Sequence, residues 1–129
     1  MRSEVHMSQS AKESLEHAQE RAEAFYKQLQ SFAAADQAQT RKDMEKAHTQ
    51  AHALADEIKA FADNQQTDVK THLKEARAAF EDAAKRAKEA SDADGAELKT
   101  RTTEAAERAK QAIAHLKSAI AAARSHTPA

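Results

Sequence analysis

The chain has 129 residues, a net charge of −1, one glycine, one proline and no cysteine. This length suits one domain, and so few turn residues exclude an all-β domain, which needs a turn roughly every eight to twelve residues. The absence of cysteine excludes disulfides and thiol chemistry, and the balanced charge argues against a nucleic-acid partner.

Alanine supplies about a quarter of the residues, and Glu, Lys, Gln and Arg supply most of the rest. All of these residues favour the helix, so helix is expected wherever nothing breaks it. Few larger apolar residues remain for each helix, so the predicted core is thin. We therefore expect close packing through alanine, and either self-association or a protein partner, to add stability.

At the N-terminus, residues 1–10 are predicted to be disordered, with residues 1–6 interpreted as a cloning remnant and Met7 as the native start. Ser10 and Glu13 have the spacing of a capping box that opens the first helix. One helical domain is then predicted over residues 11–123, followed by a disordered tail at 124–129.

Four helices are predicted near residues 11–35, 41–62, 68–91 and 96–123, because polar helix-start signals separate them. Asp36, Gln39 and Thr40 precede the second helix, and either Asn64 or Thr67 is expected to cap the third. Before the fourth helix, Asp94 and Glu97 form another predicted capping box beside Gly95.

The four segments align with one another at an offset of 29 residues. Positions 15, 18, 22, 25, 29 and 32 of the first segment are apolar, and so are nearly all of their equivalents in the other three. We call these positions the seam; their spacing of three and four residues is that of one helix face. In the fourth segment the larger apolar residues shift to Ile113 and Ile120, one residue beyond the seam.

Short connections make successive helices antiparallel, so the sequence predicts an all-α, up-down-up-down four-helix bundle of four repeats of about 29 residues. A second architecture fits the same pattern. Twenty-nine residues at 100° each return to within about 20° of the starting face, which suits a long helix in an antiparallel or parallel coiled-coil dimer.

His48 and His52 are the candidate metal ligands, because residues four apart lie on one helix face. Glu45 and His48 also match half of the Glu-x-x-His signature of di-iron bundles. The other half is missing, since Val69 precedes His72 by three residues and Ala112 precedes His115. Solvated surface histidines are the competing interpretation, and no cofactor is expected.

No catalytic constellation is evident, so the protein is predicted not to be an enzyme. A phosphate cradle needs glycines that the chain lacks. Asp92, Asp94 and Gly95 resemble a calcium loop, but its first and twelfth ligand positions would fall on Ala90 and Arg101. The aromatic residues are assigned to the core: Phe25, Tyr26, Phe32, Phe61 and Phe80.

Carboxylates stand near Lys and Arg at helical spacing, as in Asp82 and Arg86 or Glu104 and Arg108. Such pairs are expected to be solvated surface groups that add a few tenths of a kcal/mol each.

Two stretches rich in Ala, Lys and Glu, residues 76–90 and 103–112, resemble the repeats of group 3 late-embryogenesis-abundant proteins. They are similar, more loosely, to phasins and exchangeable apolipoproteins. The resemblance covers about 25 residues, is compositional, and lacks the proline that separates apolipoprotein repeats. It implies a repetitive amphipathic helical protein without catalysis, acting on surfaces or in stress protection.

Three functions follow as expectations. The first is a non-enzymatic helical module acting through helix–helix contacts, with an incompletely covered seam as its surface. The second is a surface-coating or stress-protective protein on peripheral lipid, polymer or client surfaces, and the third is a metal- or haem-binding bundle. No apolar run reaches the roughly 20 residues that span a bilayer, so the cytoplasm is the default location.

Overall fold

Four helices make up the computed structural model, which describes residues 2–32, 36–62 and 65–125 and, of their side chains, 13–31, 36–62 and 65–124. They are α1 (Arg2–Phe32), α2 (Gln37–Ala62), α3 (Thr67–Ser91) and α4 (Gly95–Ser125). Within these ranges there is no strand. The fold is all-α, as the composition predicts.

The helices form a four-sided bundle. Each packs against its neighbours in sequence, and α1 closes the bundle by packing against α4. Across one diagonal α2 approaches α4, and across the other the rings of Phe25 and Phe80 lie with centroids 6.5 Å apart. The predicted four-helix bundle is therefore confirmed, and the long coiled coil is wrong because the chain folds back on itself.

The predicted seam is the core of the bundle. Among the described seam side chains only Phe61 is half-buried; every other one is buried, with no more than 4% of its surface exposed. The side chain of Phe32 lies outside the described residues. Ile113 and Ile120 are also buried, which confirms the shift of the apolar residues in α4.

Further buried residues extend the buried face of α2, α3 and α4 beyond the seam. Thr40, Val69 and Leu98 are buried one turn before the seam of α2, α3 and α4. Ala55 and Ala84, which each follow a seam residue directly, are also buried and widen the face of α2 and α3. The apolar face is thus broader than the two-column face of a simple coiled coil, as suits a helix with several neighbours.

Alanine occupies more than half of the buried apolar positions that the structure describes. Towards its C-terminal end, α3 contributes Ala83, Ala87 and Ala90 to the core. A methyl side chain lets two helices approach closely, and it loses almost no rotamer entropy on burial. Few large side chains are therefore enough, because the space between the helices is small.

Two predicted helix starts are displaced. α1 begins at Arg2 rather than near residue 11, so the segment predicted to be disordered joins the helix and Ser10 is not its cap. Nothing between Arg2 and Ser10 breaks a helix, since glycine and proline are both absent there. α2 begins at Gln37 because the Asp36 carboxylate accepts the backbone N–H of Gln39 at 2.9 Å.

The cap predicted for α3 also differs from the structure. Gln66 precedes α3 without a side-chain capping bond, so Thr67 is not the cap, and Asn64 lies outside the described residues. Asp94 precedes α4, where its carboxylate accepts a hydrogen bond from Arg41 of α2 at 2.6 Å. An ion pair to another helix thus engages the carboxylate assigned to capping. α4 continues to Ser125, which is two residues into the predicted tail, and residues 126–129 lie outside the described chain.

Gly95 joins α3 to α4 with a φ of +58°, the left-handed conformation that side chains with a Cβ disfavour. A Cβ added there would meet nothing within 4 Å, so the cost of substitution comes from the backbone alone. We expect Gly95→Ala to lower the free energy of unfolding by about 1–2 kcal/mol, measured by urea denaturation.

Gly95→Asn is the matched control and should lose less, because asparagine tolerates the left-handed region better. A gain in stability for Gly95→Ala would contradict this assignment. Alanine is favoured over glycine by about 1 kcal/mol in an ordinary helix interior, so the sign of the change separates the two cases.

Candidate functional site

His48 and His52 lie together on one side of α2, and His48 contacts α3. Their ring centroids are 4.7 Å apart in an edge-on arrangement, as the spacing of four residues predicts. His48 Nδ1 lies 2.8 Å from the carbonyl oxygen of Ala84. Because a carbonyl only accepts, this nitrogen carries the proton and donates, which leaves Nε2 as the ring nitrogen that could bind a metal.

This pair is not completed by a third ligand. No further His, Cys, Asp or Glu among the described residues forms a three-donor cluster with it, and Glu45 is exposed outside any such cluster. The di-iron arrangement is therefore not assembled around His48, since that site needs several inward carboxylates.

A different cluster brings together three donors from two helices. His72 and Glu75 of α3 and His115 of α4 each offer one ligand atom, and these atoms lie within 4.8 Å of one another. Within the cluster, His115 Nδ1 is 2.9 Å from a carboxylate oxygen of Glu75. His72 Nδ1 is buried and has no hydrogen-bond partner. Two imidazoles and a carboxylate are a donor set that zinc commonly takes.

Sequence reasoning missed this cluster. The Glu-x-x-His signature requires a glutamate three residues before a histidine, whereas here His72 precedes Glu75. Residues three apart lie on one helix face in either order, so this signal was present in the sequence. The contribution of His115 depends on the register between α3 and α4, which the spacing of residues within one helix does not specify.

That register is fixed by a ladder of charged pairs between α3 and α4. Asp82 accepts from Arg108 at 2.7 Å, and Glu89 pairs with Arg101 at 3.4 Å. Arg86 contacts Glu104 between these two pairs. Going towards the N-terminus of α3, each pair lies equally far towards the C-terminus of α4, as antiparallel helices require. Glu75 with His115 is the pair that follows Asp82 with Arg108 in this direction.

The ladder is continuous because several members have two partners. Arg86 also lies 3.6 Å from Asp82, the predicted pair within α3, and Arg101 lies 3.4 Å from Glu104. Glu104 therefore pairs with arginines of both helices, whereas the sequence suggested a local pair with Arg108. These side chains are about three-fifths to three-quarters buried, so they are better shielded than ordinary surface ion pairs.

Helix α1 is attached differently. It packs less extensively on α2 and α4 than α3 does on its own neighbours. Among the described side chains, three separate ion pairs join it to those helices, and the arginine or lysine of each is about half exposed or more: Arg21–Glu57, Lys117–Glu23 and Arg124–Glu16. Exposed and isolated pairs contribute little, so α1 is held mainly by its buried apolar face.

The serine hydroxyls that the structure places in hydrogen bonds serve their own helices. Ser31, Ser91 and Ser118 each donate to a carbonyl three or four residues earlier. This bonding is typical of serine within helices and does not activate a nucleophile. No helix in the described part of the chain is long and apolar enough to cross a membrane.

No protein-family model, curated protein or solved structure gives a significant match to this chain.

The ladder predicts a measurable coupling between Arg86 and Glu104. In a double-mutant cycle with Arg86→Ala and Glu104→Ala, we expect a coupling free energy of about 0.5–1.5 kcal/mol, because both residues belong to a partly buried network. The measurement is the free energy of unfolding in urea for the wild type, both single variants and the double variant.

The exposed pair Arg124–Glu16 is the control, and the same cycle there should give about 0–0.5 kcal/mol. Equal coupling at the two sites would mean that the ladder does not hold α3 and α4 together more firmly than a surface pair.

Proposed function

We propose that this protein is a non-enzymatic helix-interaction module, and that it binds its partner when α1 separates from the other three helices. The observation that carries the proposal is the asymmetry of attachment described above. α3 and α4 share a continuous charged ladder, whereas the described side chains of α1 form three isolated ion pairs and α1 packs less extensively on its neighbours. Elements that move are drawn from the less stable parts of a structure.

Opening is required because the closed bundle offers little apolar surface. The sequence suggested that a thin core would leave the seam incompletely covered, but the described seam is buried apart from the half-buried Phe61. A partner that binds the seam must therefore displace one of the four helices.

The chemistry of the partner follows from what opening exposes. Release of α1 uncovers its own Leu15, Phe25 and Leu29 together with the apolar faces that they cover. Exposing each of these three side chains costs about 1.5–3 kcal/mol. Only a partner that buries a comparable apolar face restores this free energy, so we infer an amphipathic helix as the partner, from another protein or from a second copy of this chain.

A cross-link tests this proposal, since the chain has no cysteine of its own. Glu23→Cys with Lys117→Cys, joined by a short bismaleimide, would tether α1 to α4 at an exposed ion pair. The probe is a fluorescent peptide with the sequence of residues 13–32, which fits the place of α1. We expect the tether to weaken capture of this peptide by at least about tenfold, or roughly 1.4 kcal/mol, measured by fluorescence anisotropy.

The control is the same cross-link at Glu89→Cys and Arg101→Cys, which joins α3 to α4 and should leave capture unchanged. Equal capture by both cross-linked proteins, or no capture even without a cross-link, would contradict the proposal. Circular dichroism of every variant checks that the helices are intact.

The surface-coating function is the second candidate, because the same opening would present an apolar helix face to a lipid surface. The exposed side of α1 carries Glu13 and Glu20 among its charges, so zwitterionic vesicles are the appropriate probe. Vesicle binding that is blocked by the α1–α4 tether would favour this candidate over a partner helix.

A further inference from the structure

We propose that His72, Glu75 and His115 form a zinc-binding site between α3 and α4, at the end of the bundle remote from their connection. The site is independent of the opening of α1, because all three residues lie on the hairpin formed by α3 and α4. It also differs from the pair that the sequence singled out, His48 and His52.

The donor chemistry selects the ion. Zinc binds imidazole nitrogen and carboxylate oxygen, whereas calcium and magnesium prefer oxygen ligands alone. Two histidines with one carboxylate leave a fourth tetrahedral position for water or for an external ligand. The side chains of His115 and Glu75 are 37% and 49% exposed, so an ion can reach them from solvent.

The spacing of the donors suits a small ion. Zinc holds such ligands at about 2.0–2.2 Å, which places donor atoms roughly 3.4 Å apart in a tetrahedron. The three donors already lie within 4.8 Å of one another, and the contact between Glu75 and His115 is 2.9 Å. Small side-chain rotations would therefore complete the geometry without moving either helix.

The backbone presents these donors in a fixed register. His72 and Glu75 are one helical turn apart on α3, and the charged ladder sets the position of His115 along α4. Side chains that project from rigid elements lose less freedom on binding than side chains on loops do.

His72 gives the independent reason to assign a ligand here. Its Nδ1 is buried without a hydrogen-bond partner, and leaving a buried polar atom unsatisfied is costly. An ion pair between Glu75 and His115 explains those two residues as the next pair of the ladder, but it gives no role to His72. Coordination of a cation accounts for all three residues together.

The test is a titration of the untagged full chain with zinc sulfate, measured by competition with a chromophoric chelator. We expect one zinc ion per chain, with affinity reduced by at least about tenfold in His72→Ala, Glu75→Gln and His115→Ala, since even partners outside the first shell contribute on that scale. Cobalt as a spectroscopic substitute should give the intense absorption of tetrahedral coordination, which each substitution should abolish.

The matched control is His48→Ala with His52→Ala, which removes two histidines outside the site and should change zinc affinity by less than about threefold, well below the effect of a lost partner. Thermal unfolding without zinc checks the fold of each variant, and zinc should raise the Tm of the wild type more than that of His72→Ala. Wild-type affinity in His72→Ala, loss of binding in the control variant, or no binding by the wild type would each overturn the proposal.

Discussion

Close approach of the helices depends on alanine at the positions where they meet. Ala18, Ala47, Ala76 and Ala105 occupy the same seam position in all four helices, and none has exposed surface. Each methyl group adds little hydrophobic free energy, but its small volume lets neighbouring helices share one narrow core. Larger residues at the same seam then fill that core to high density: Leu15, Met44, Ile58, Leu73, Phe80 and Leu116.

The same constraint explains how the charged residues are arranged. Helices that approach closely bring the flanks of their seams within reach of one another, so long arginine side chains span from α3 to α4. Where this flank carries acids and arginines in matching register, a continuous ladder results. Where α1 meets α2 and α4, the described pairs are separate and on average more exposed, so each contributes little to holding the helices together.

Much of the fold could be predicted from the sequence because burial follows a local periodicity. The positions of Leu54 and Ala83, for example, follow from the offset of 29 residues and the helical repeat alone. The start of α1 could not be predicted in this way, since Ser10 can cap a helix or lie within one, and the first residues contain no breaker. The ion pair of Asp94 could not be predicted for a related reason, because its partner Arg41 is distant in sequence.

The candidate sites show the same division between local and distant information. The proximity of His48 and His52 is local and was predicted correctly, but the bond from His48 to the Ala84 carbonyl depends on the packing of α2 against α3. The cluster of His72, Glu75 and His115 requires the antiparallel register of α3 and α4, which periodicity alone does not specify. Once the bundle is known, the charged ladder supplies that register.

Native-state hydrogen exchange resolved by helix tests most directly whether α1 is the least firmly held element. At low denaturant, amides within residues 13–31 should exchange through an opening with a lower free energy than the amides of α3 and α4, which should exchange only on global unfolding. Exchange of all four helices with one common free energy would contradict this result, because the bundle would then open only as a single cooperative unit.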